Sequence, residues 1–281
     1  MYYALISLAA LLFSFQFVVN DGFRRQNGNS WNASLRFTLY SAVAGFMILI
    51  FVNKFRMEYT HFSLVLALLY SLVCIVLGYC NIMAFSYANL SVYSVFCMIG
   101  GMALPFIYGV FTGEDVTYAK VICFLLIALS VGLSVNPGKH SPKAIFYYLA
   151  VFVLNGAVGV ISAWHQSNSA LCVDSGSFMM LTKIWSVLLS GILILLGRDK
   201  NFKINFKSAI YCTGYSALNS MGNLWLLVAL LHLPASIQYP IVTGGTIIFA
   251  TLISICRREK VTGREIVAAV IAFTASACMA L

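Results

Sequence analysis

The second half of the chain repeats the first about 145 residues later, and both halves consist of long apolar runs. Within the repeat, Tyr70-Ser71 falls on Tyr215-Ser216. The matching segments are 63–84 with 208–229, 114–117 with 259–262, and 45–49 with 191–195. Paired repeats in membrane proteins are typical of transporters, whose two halves move against each other about a central site. The repeat therefore predicts a carrier.

The composition places this chain in a lipid bilayer. Hydrophobic residues make up 61% and charged residues 9%, whereas about a quarter of the residues in a soluble domain are charged. In water such a surface would aggregate, but in a bilayer it faces lipid. The net charge of +9 is scattered through short loops, so we expect membrane lipids and no nucleic acid as partners.

Crossing the hydrocarbon core takes about 20 apolar residues. Ten runs qualify: 2–20, 31–52, 62–87, 91–112, 117–135, 145–165, 176–197, 208–231, 235–256 and 262–281. They are too long and continuous for barrel strands, so they predict an all-α integral membrane protein with ten transmembrane helices. We expect a first five-helix repeat over 1–136, a linker over 137–144 and a second repeat over 145–281. Because five is odd, the second repeat enters the membrane inverted.

The basic residues predict an orientation. We call the side reached after segment one side B, and the opposite side side A. Side A carries Lys54, Arg56 and Lys120. Side B carries Arg24, Arg25, Lys139, Lys143, Arg198, Lys200, Lys203, Lys207, Arg257, Arg258, Lys260 and Arg264. Positive loops stay in the cytoplasm, which predicts that side B is cytoplasmic and that both termini lie outside. The first apolar run has no basic start and no clear cleavage site, so we expect a retained helix.

Four marks occur in the same order in the first half, and two of them recur in the second. They are the polar end of segment one (Asn20-Asp21), an early arginine in segment two (Leu35-Arg36), a small-residue passage (84–91, then 229–236), and a turn before segment five (Gly113–Thr117, then Arg258–Thr262). Together they resemble the drug/metabolite transporter superfamily, in its ten-helix EamA-type branch. The resemblance covers the whole chain and implies a ten-helix carrier, but it says little about the substrate. In well-known branches it implies cytoplasmic termini, against the charge count. Where the family often has proline midway along the fourth helix, this chain has Gly100-Gly101 and Gly244-Gly245 nearby.

Polar side chains inside predicted helices are costly in hydrocarbon, so they usually face the bundle interior or a water-filled cavity. The candidate substrate-binding residues are Gln16, Asn20, Arg36, Tyr79, Asn81, Tyr93, Trp164, His165, Lys183, Trp185, Asn219, Asn223, Gln238 and Tyr239. Asn219 and Asn223 are four residues apart and share one helix face. They either point into a cavity or bond neighbouring helices together.

The other candidates also allow two interpretations. Arg36 holds an anionic group or extends to the side B surface. Lys183, about eight residues into segment seven, lies deeper than a loop charge and faces either the pathway or a packing partner. His165 couples transport to protons or makes a structural hydrogen bond. The tryptophans 164, 185 and 225 form a cage for a ring-bearing or cationic ligand, or an interfacial belt.

The positions of the carboxylates restrict the substrate. All eight lie near predicted helix ends or in loops: Asp21, Glu58, Glu114, Asp115, Asp174, Asp199, Glu259 and Glu265. Small multidrug exporters of the superfamily rely on a carboxylate within the membrane. We therefore expect a small polar metabolite, such as an amino acid or related zwitterion or anion. We read Glu114 and Glu259 as structural carboxylates near the start of the fifth helix of each half.

Other functions fit the sequence less well. The chain has no HExxH, GxSxG or nucleotide-binding loop, so we expect no enzyme, no cofactor and no metal. The alternatives are a multidrug or cationic-amine exporter and a receptor or assembly subunit without transport. Short loops fit a bacterial inner membrane, with an organelle membrane as the alternative. A monomer suffices for a pathway between two halves, and a dimer is compatible with it.

Overall fold

The computed structural model describes residues 2–87, 89–111, 117–134, 141–168, 170–197, 200–230 and 235–278. Within these residues the protein is all-helical, without strands. The helices are α1 (Tyr2–Asn27), α2 (Trp31–Val52), α3 (His61–Tyr87), α4 (Leu90–Phe111), α5 (Tyr118–Ser134), α6 (Pro142–Ser167), α7 (Ser175–Leu196), α8 (Phe206–Leu230), α9 (Ala235–Cys256) and α10 (Gly263–Cys278). The predicted helical character is confirmed.

Two helices extend beyond their apolar runs, and local chemistry explains both extensions. Helix α1 continues past residue 20 because Asp21 forms ion pairs of 2.8 Å with Arg24 and Arg25, one turn further on. Such i,i+3 and i,i+4 pairs stabilise a helix. Helix α6 begins at Pro142 because Ser141 caps it, its hydroxyl accepting from an amide in the first turn. Proline at the first helical position leaves no extra amide unsatisfied.

The outward faces of the helices are apolar. Within the part of the chain that the structure describes, six helices, α1 to α4, α6 and α7, are long and apolar enough to cross a membrane. On α3, the side chains of Val65, Leu69, Leu72 and Val76 follow a helical spacing and are 42% to 57% exposed. Buried polar positions, in contrast, are mostly serine and threonine. Apolar side chains outside and small hydroxyl side chains inside are characteristic of a membrane-embedded protein.

Most of the extensive helix pairings join α1–α5 to α6–α10. Helix α1 packs on α8 and α9, α2 packs on α7 and α8, and α6 packs on α3 and α4. Helices α3 and α7, α4 and α9, and α5 and α10 are also paired. These pairings are symmetric when each helix is replaced by its counterpart in the other half, five helices along the chain. The α1–α8 pair then becomes α6–α3, the α1–α9 pair becomes α6–α4, and the α2–α8 pair becomes α7–α3. All of these pairs are present.

Glycines allow helices of opposite halves to approach closely. A Cβ atom on Gly100 of α4 would overlap the Phe152 backbone of α6, and one on Gly156 of α6 would lie 2.7 Å from the Gly100 carbonyl oxygen. At the matching position of α9, a Cβ atom on Gly245 would lie 3.1 Å from the Ala10 methyl group of α1. Gly100 and Gly101 of α4 and Gly245 of α9 therefore lie at helix crossings between the halves, whereas Gly244 faces α10 of its own half.

Contacts at the helix ends sort the loops into two groups. At one end, Asn27 of α1 hydrogen-bonds Ser208 at the start of α8. The same end holds the α9–α10 turn, whose Arg257 pairs with Asp21 of α1. At the other end, the Glu58 amide donates to Ser177 at the start of α7. These groups coincide with the predicted sides B and A, respectively.

Candidate functional site

A lysine lies deep inside the helix bundle. Lys183 is eight residues into α7, about 12 Å from the helix start at 1.5 Å per residue. Its Cε and Cδ atoms lie 3.1 and 3.5 Å from where a Cβ atom of Gly45 would be, and the Ser216 hydroxyl oxygen lies 3.5 Å from that same point. Lys183 therefore points between α2 and α8, towards the interior.

Two tyrosines at equivalent repeat positions pack on helices α7 and α2, the helix of Lys183 and a helix beside it. Tyr70 of α3 makes an edge contact with Phe178 of α7, with ring centroids 6.0 Å apart. Tyr215 of α8 makes an edge contact with Phe37 of α2, with ring centroids 4.9 Å apart. Each tyrosine thus packs on a phenylalanine of the opposite half. The two phenols are close enough to influence each other electrostatically.

A thiol completes this cluster. Cys74 lies one turn after Tyr70 on α3, beside the Tyr70 phenol and within electrostatic range of Lys183. We define the central site by the residues of α2, α3, α7 and α8 that meet here: Gly45, Tyr70, Cys74, Lys183, Tyr215 and Ser216. The site offers an ammonium group, two phenols and a thiol, which are mainly hydrogen-bond donors.

Partial exposure of deep side chains indicates an internal space. Tyr70, Cys74, Lys183 and Tyr215 are each only partly buried, although each lies at least eight residues from its helix ends. Helices α2, α3 and α8 surround the Lys183 side chain. Its accessible surface therefore faces a space within the bundle rather than lipid. Among the described residues, none makes a hydrogen bond or an ion pair with its ammonium nitrogen.

Serine hydrogen bonds hold the helices around the central site. Ser71 of α3 donates to the Thr182 carbonyl oxygen of α7 at 2.8 Å. Its repeat counterpart, Ser216 of α8, donates to the Ser41 carbonyl oxygen of α2. These bonds link α3 to α7 and α8 to α2, the two pairs that also carry the tyrosine–phenylalanine contacts. The same interaction is therefore used twice, once in each half.

The sequence analysis selected Lys183 but missed Tyr70, Cys74 and Tyr215. The signal was present, because Tyr70-Ser71 and Tyr215-Ser216 are the matching dipeptides of the best-aligned repeat segment. They served to align the halves and were not considered as site residues.

The predicted amides on α1 and α8 bond helices together. The Asn219 side-chain amide donates to the Gln16 side-chain oxygen at 3.0 Å. The Asn223 amide donates to the backbone oxygen of Asn219, one turn earlier. Asn20 of α1 and Asn81 of α3 each have a buried side-chain oxygen that finds no hydrogen-bond partner among the described residues. Gln16 and Asn219 thus join the two halves beside the central site.

Two predicted tyrosines, Tyr79 and Tyr93, pack in aromatic clusters, and Tyr93 lies within electrostatic range of Tyr215. Tyr93 is buried, stacked on Phe85 at 3.8 Å and in edge contact with Phe17 at 5.0 Å. Tyr79 makes edge contacts with Trp31 and Tyr147, at 5.2 and 6.2 Å. Tyr93 is therefore part of the packed core between α1, α3 and α4, and Tyr79 belongs to an aromatic row across α2, α3 and α6.

Helices α3, α6 and α7 pack around three predicted residues, of which Trp164 and His165 lie near side A and Trp185 lies midway along α7. The His165 ring is buried, stacked on Phe178 at 3.9 Å, and its Nε2 atom lies 2.9 Å from the Ser63 hydroxyl oxygen. Trp164 is 44% exposed. Trp185 packs with the cluster that contains Phe178. The described contacts do not bring the tryptophan rings together as a cage.

The remaining predicted residues lie at side B or outside the described side chains. Arg36 donates to the Lys203 carbonyl oxygen at 2.9 Å and so holds the segment before α8. Gln238 and Tyr239 lie in α9, but their side chains are outside the part of the chain that the structure describes.

A group of ion pairs, which we call the ionic cluster, joins the two halves at side B. The buried Asp21 carboxylate accepts from Arg24, Arg25 and Arg257 at distances of 2.8 to 3.0 Å. Arg257 also lies 3.4 Å from Glu259. A cavity of about 300 Å³ lies beside this cluster, between α1, the α3–α4 connection and the α9–α10 turn.

Glu259 has a different role from the one expected from its position before α10. Its carboxylate accepts from the Leu90 amide at 3.0 Å, and therefore caps α4 rather than α10. Helix α10 is capped by its own box, in which Thr262 and Glu265 accept each other's backbone amide protons. The tertiary position of the turn, against the start of α4, explains the difference.

Comparisons with known proteins give no identification. No protein-family model matches the chain, and no curated protein matches it. Among the described residues, no group of three histidine, cysteine, aspartate or glutamate side chains is arranged to hold a metal ion.

Proposed function

We propose that this protein is a secondary transporter that moves a small polar metabolite across a membrane by alternating access. The observation that carries the proposal is that the helix pairings between the two halves are equivalent when the halves are exchanged, and that they surround an interior lysine. Carriers with inverted repeats bind substrate near the membrane midplane, where the repeats meet. The central site has such a location, because its residues come from α2 and α3 of one half and α7 and α8 of the other.

The proposal includes ten spans arranged as two inverted five-helix repeats. Two sets of equivalent helix pairs support it. The α1–α8 pair is the repeat counterpart of α6–α3, and the α2–α8 pair is the counterpart of α7–α3. The serine and tyrosine contacts of α3 with α7 recur between α8 and α2. Membership of the EamA-type drug/metabolite branch is part of the same proposal and rests on the sequence marks alone.

The ionic cluster supplies a gate in this proposal. It joins α1 to the α9–α10 turn, and so it ties the two halves together at side B. Opening that side requires these ion pairs to separate, and closing it restores them. Side B is the cytoplasmic side in this scheme, because it carries twelve of the fifteen basic residues that lie in loops or at helix ends. We place the protein in a bacterial inner membrane on the same grounds.

The experiment that tests transport is flux into proteoliposomes. Purified protein is reconstituted, and uptake of labelled amino acids, organic acids and cationic amines is compared with that of empty vesicles. We expect saturable uptake of at least one polar metabolite, and its loss in Lys183→Met. Leu188→Met is the matched control, because Leu188 lies on the same helix and is 49% exposed. Uptake of cationic amines alone would point to a multidrug exporter, and binding without flux would point to a receptor.

A further inference from the structure

The central site contains a lysine, Lys183, that has no counter-charge among the described residues. Its terminal amine faces the internal space and has no described carboxylate within ion-pair distance. The described carboxylates lie elsewhere, near the ends of helices or in the turns between them: Asp21, Glu58, Asp174, Glu259 and Glu265. An isolated charge away from bulk water is strongly disfavoured, so such a lysine either gives up its proton or takes an anionic partner. A bound anion is the partner that keeps Lys183 in its ammonium form.

The other groups around Lys183 suit an anion as well. The phenols of Tyr70 and Tyr215 and the thiol of Cys74 can donate to oxygen atoms. The Ser216 hydroxyl is already used, because it donates to the Ser41 carbonyl oxygen. None of these side chains supplies a negative charge that would hold the ammonium group of an amino acid. A zwitterion would therefore leave its own positive charge beside Lys183.

We propose that the central site binds a small organic acid with one net negative charge, its carboxylate held by the Lys183 ammonium group and the neighbouring phenols. This inference narrows the substrate class of the proposed transporter from polar metabolites in general to monocarboxylates. It rests on the proposed function for transport, although binding to the site can be measured without it.

Cys74 provides a native reporter of occupancy. Cys74 is a partly exposed residue whose thiol lies beside Tyr70 and within electrostatic range of Lys183, so a bound carboxylate should shield it from a maleimide. The purified protein is treated with N-ethylmaleimide with lactate, benzoate, alanine or choline present, and alkylation of each cysteine is followed by peptide mass spectrometry. Cys256, which is exposed at the end of α9, is the internal control.

We expect lactate or benzoate to slow alkylation of Cys74 and to leave that of Cys256 unchanged. At ten times Kd about nine-tenths of the sites are occupied, so the rate at Cys74 should fall roughly tenfold. Lys183→Met should abolish this protection, and Lys183→Arg should retain much of it. Equal protection by alanine, protection that survives Lys183→Met, or no protection by either acid would overturn the proposal.

Two further measurements separate a folding defect from loss of binding, and binding from transport. Lys183→Met should melt at or above the temperature of the unsubstituted protein without ligand, because it removes an unpaired interior charge. A lower melting temperature would show that Lys183 has a stabilising partner in the protein, and so would contradict the premise of the proposal. Protection of Cys74 by lactate without lactate flux would refute transport and leave the binding site intact. Flux of alanine without lactate protection would refute the anion site and leave transport intact.

Discussion

Asp21 is buried, and we therefore expect its substitution to lower the stability of the protein more than that of any other residue in the ionic cluster. Its carboxylate is only 5% exposed and serves three arginines, of which Arg24 and Arg257 are 17% and 25% exposed. Asp21→Asn keeps the shape of the side chain but removes its charge. Two largely buried guanidinium groups then lose their main counter-charge, although Glu259 remains 3.4 Å from Arg257.

The expected decrease in the free energy of unfolding follows from this burial. Removing one partner of a buried ion pair destabilises a protein by about 3–5 kcal/mol. Because the arginines are partly exposed and Glu259 remains nearby, we expect Asp21→Asn to lie at the lower end of this range, about 3 kcal/mol. The matched control is Arg25→Gln, whose guanidinium bonds the same carboxylate but is 58% exposed. An exposed ion pair contributes roughly 0–1 kcal/mol.

Thermal unfolding in detergent, followed by tryptophan fluorescence, measures the difference. For a chain of this size, 1 kcal/mol corresponds to roughly 2 °C in Tm, so Asp21→Asn should lower Tm by about 6 °C and Arg25→Gln by at most about 2 °C. Asp21→Asn combined with Arg257→Gln should cost less than the sum of the two, because they act on one ion pair. Equal shifts for the Asp21 and Arg25 variants would refute the reasoning from burial.

Four more substitutions, one of them a control, test the helix contacts. Gly100→Ala should lower Tm by several degrees because its methyl group overlaps the α6 backbone, whereas Gly191→Ala, with open space around it, should raise Tm slightly. Glu265→Gln should cost about 1 kcal/mol of stability by weakening the α10 capping box, measured by the same unfolding assay. Asn219→Ala removes the hydrogen bond to Gln16 and should cost about 0.6 kcal/mol; loss of flux at nearly unchanged Tm would show a direct role in the pathway instead.

The sequence predicted part of the central site, and the reason for the rest is geometric. Lys183 stood out because a charge eight residues inside an apolar run is unusual. Its neighbours Gly45 and Ser216 are 138 residues before it and 33 after it in the chain, and no local pattern links them. Conversely, Arg36 looked similar to Lys183 in sequence, but its reach to the Lys203 carbonyl oxygen places its guanidinium group at side B.

Composition and the lengths of the apolar runs alone determined that this chain is helical and membrane-embedded, since backbone polar groups in hydrocarbon must be satisfied within each segment. The helix ends needed more information, because Asp21 extends α1 through charges one turn away. Only the tertiary structure decided which helices pair across the halves, that Glu259 caps α4, and that Tyr70 and Tyr215 pack on phenylalanines of the opposite half. The physical reason is that burial and hydrogen-bond partners depend on residues far apart in the chain. The apolar periodicity of a helix, in contrast, can be read from consecutive residues.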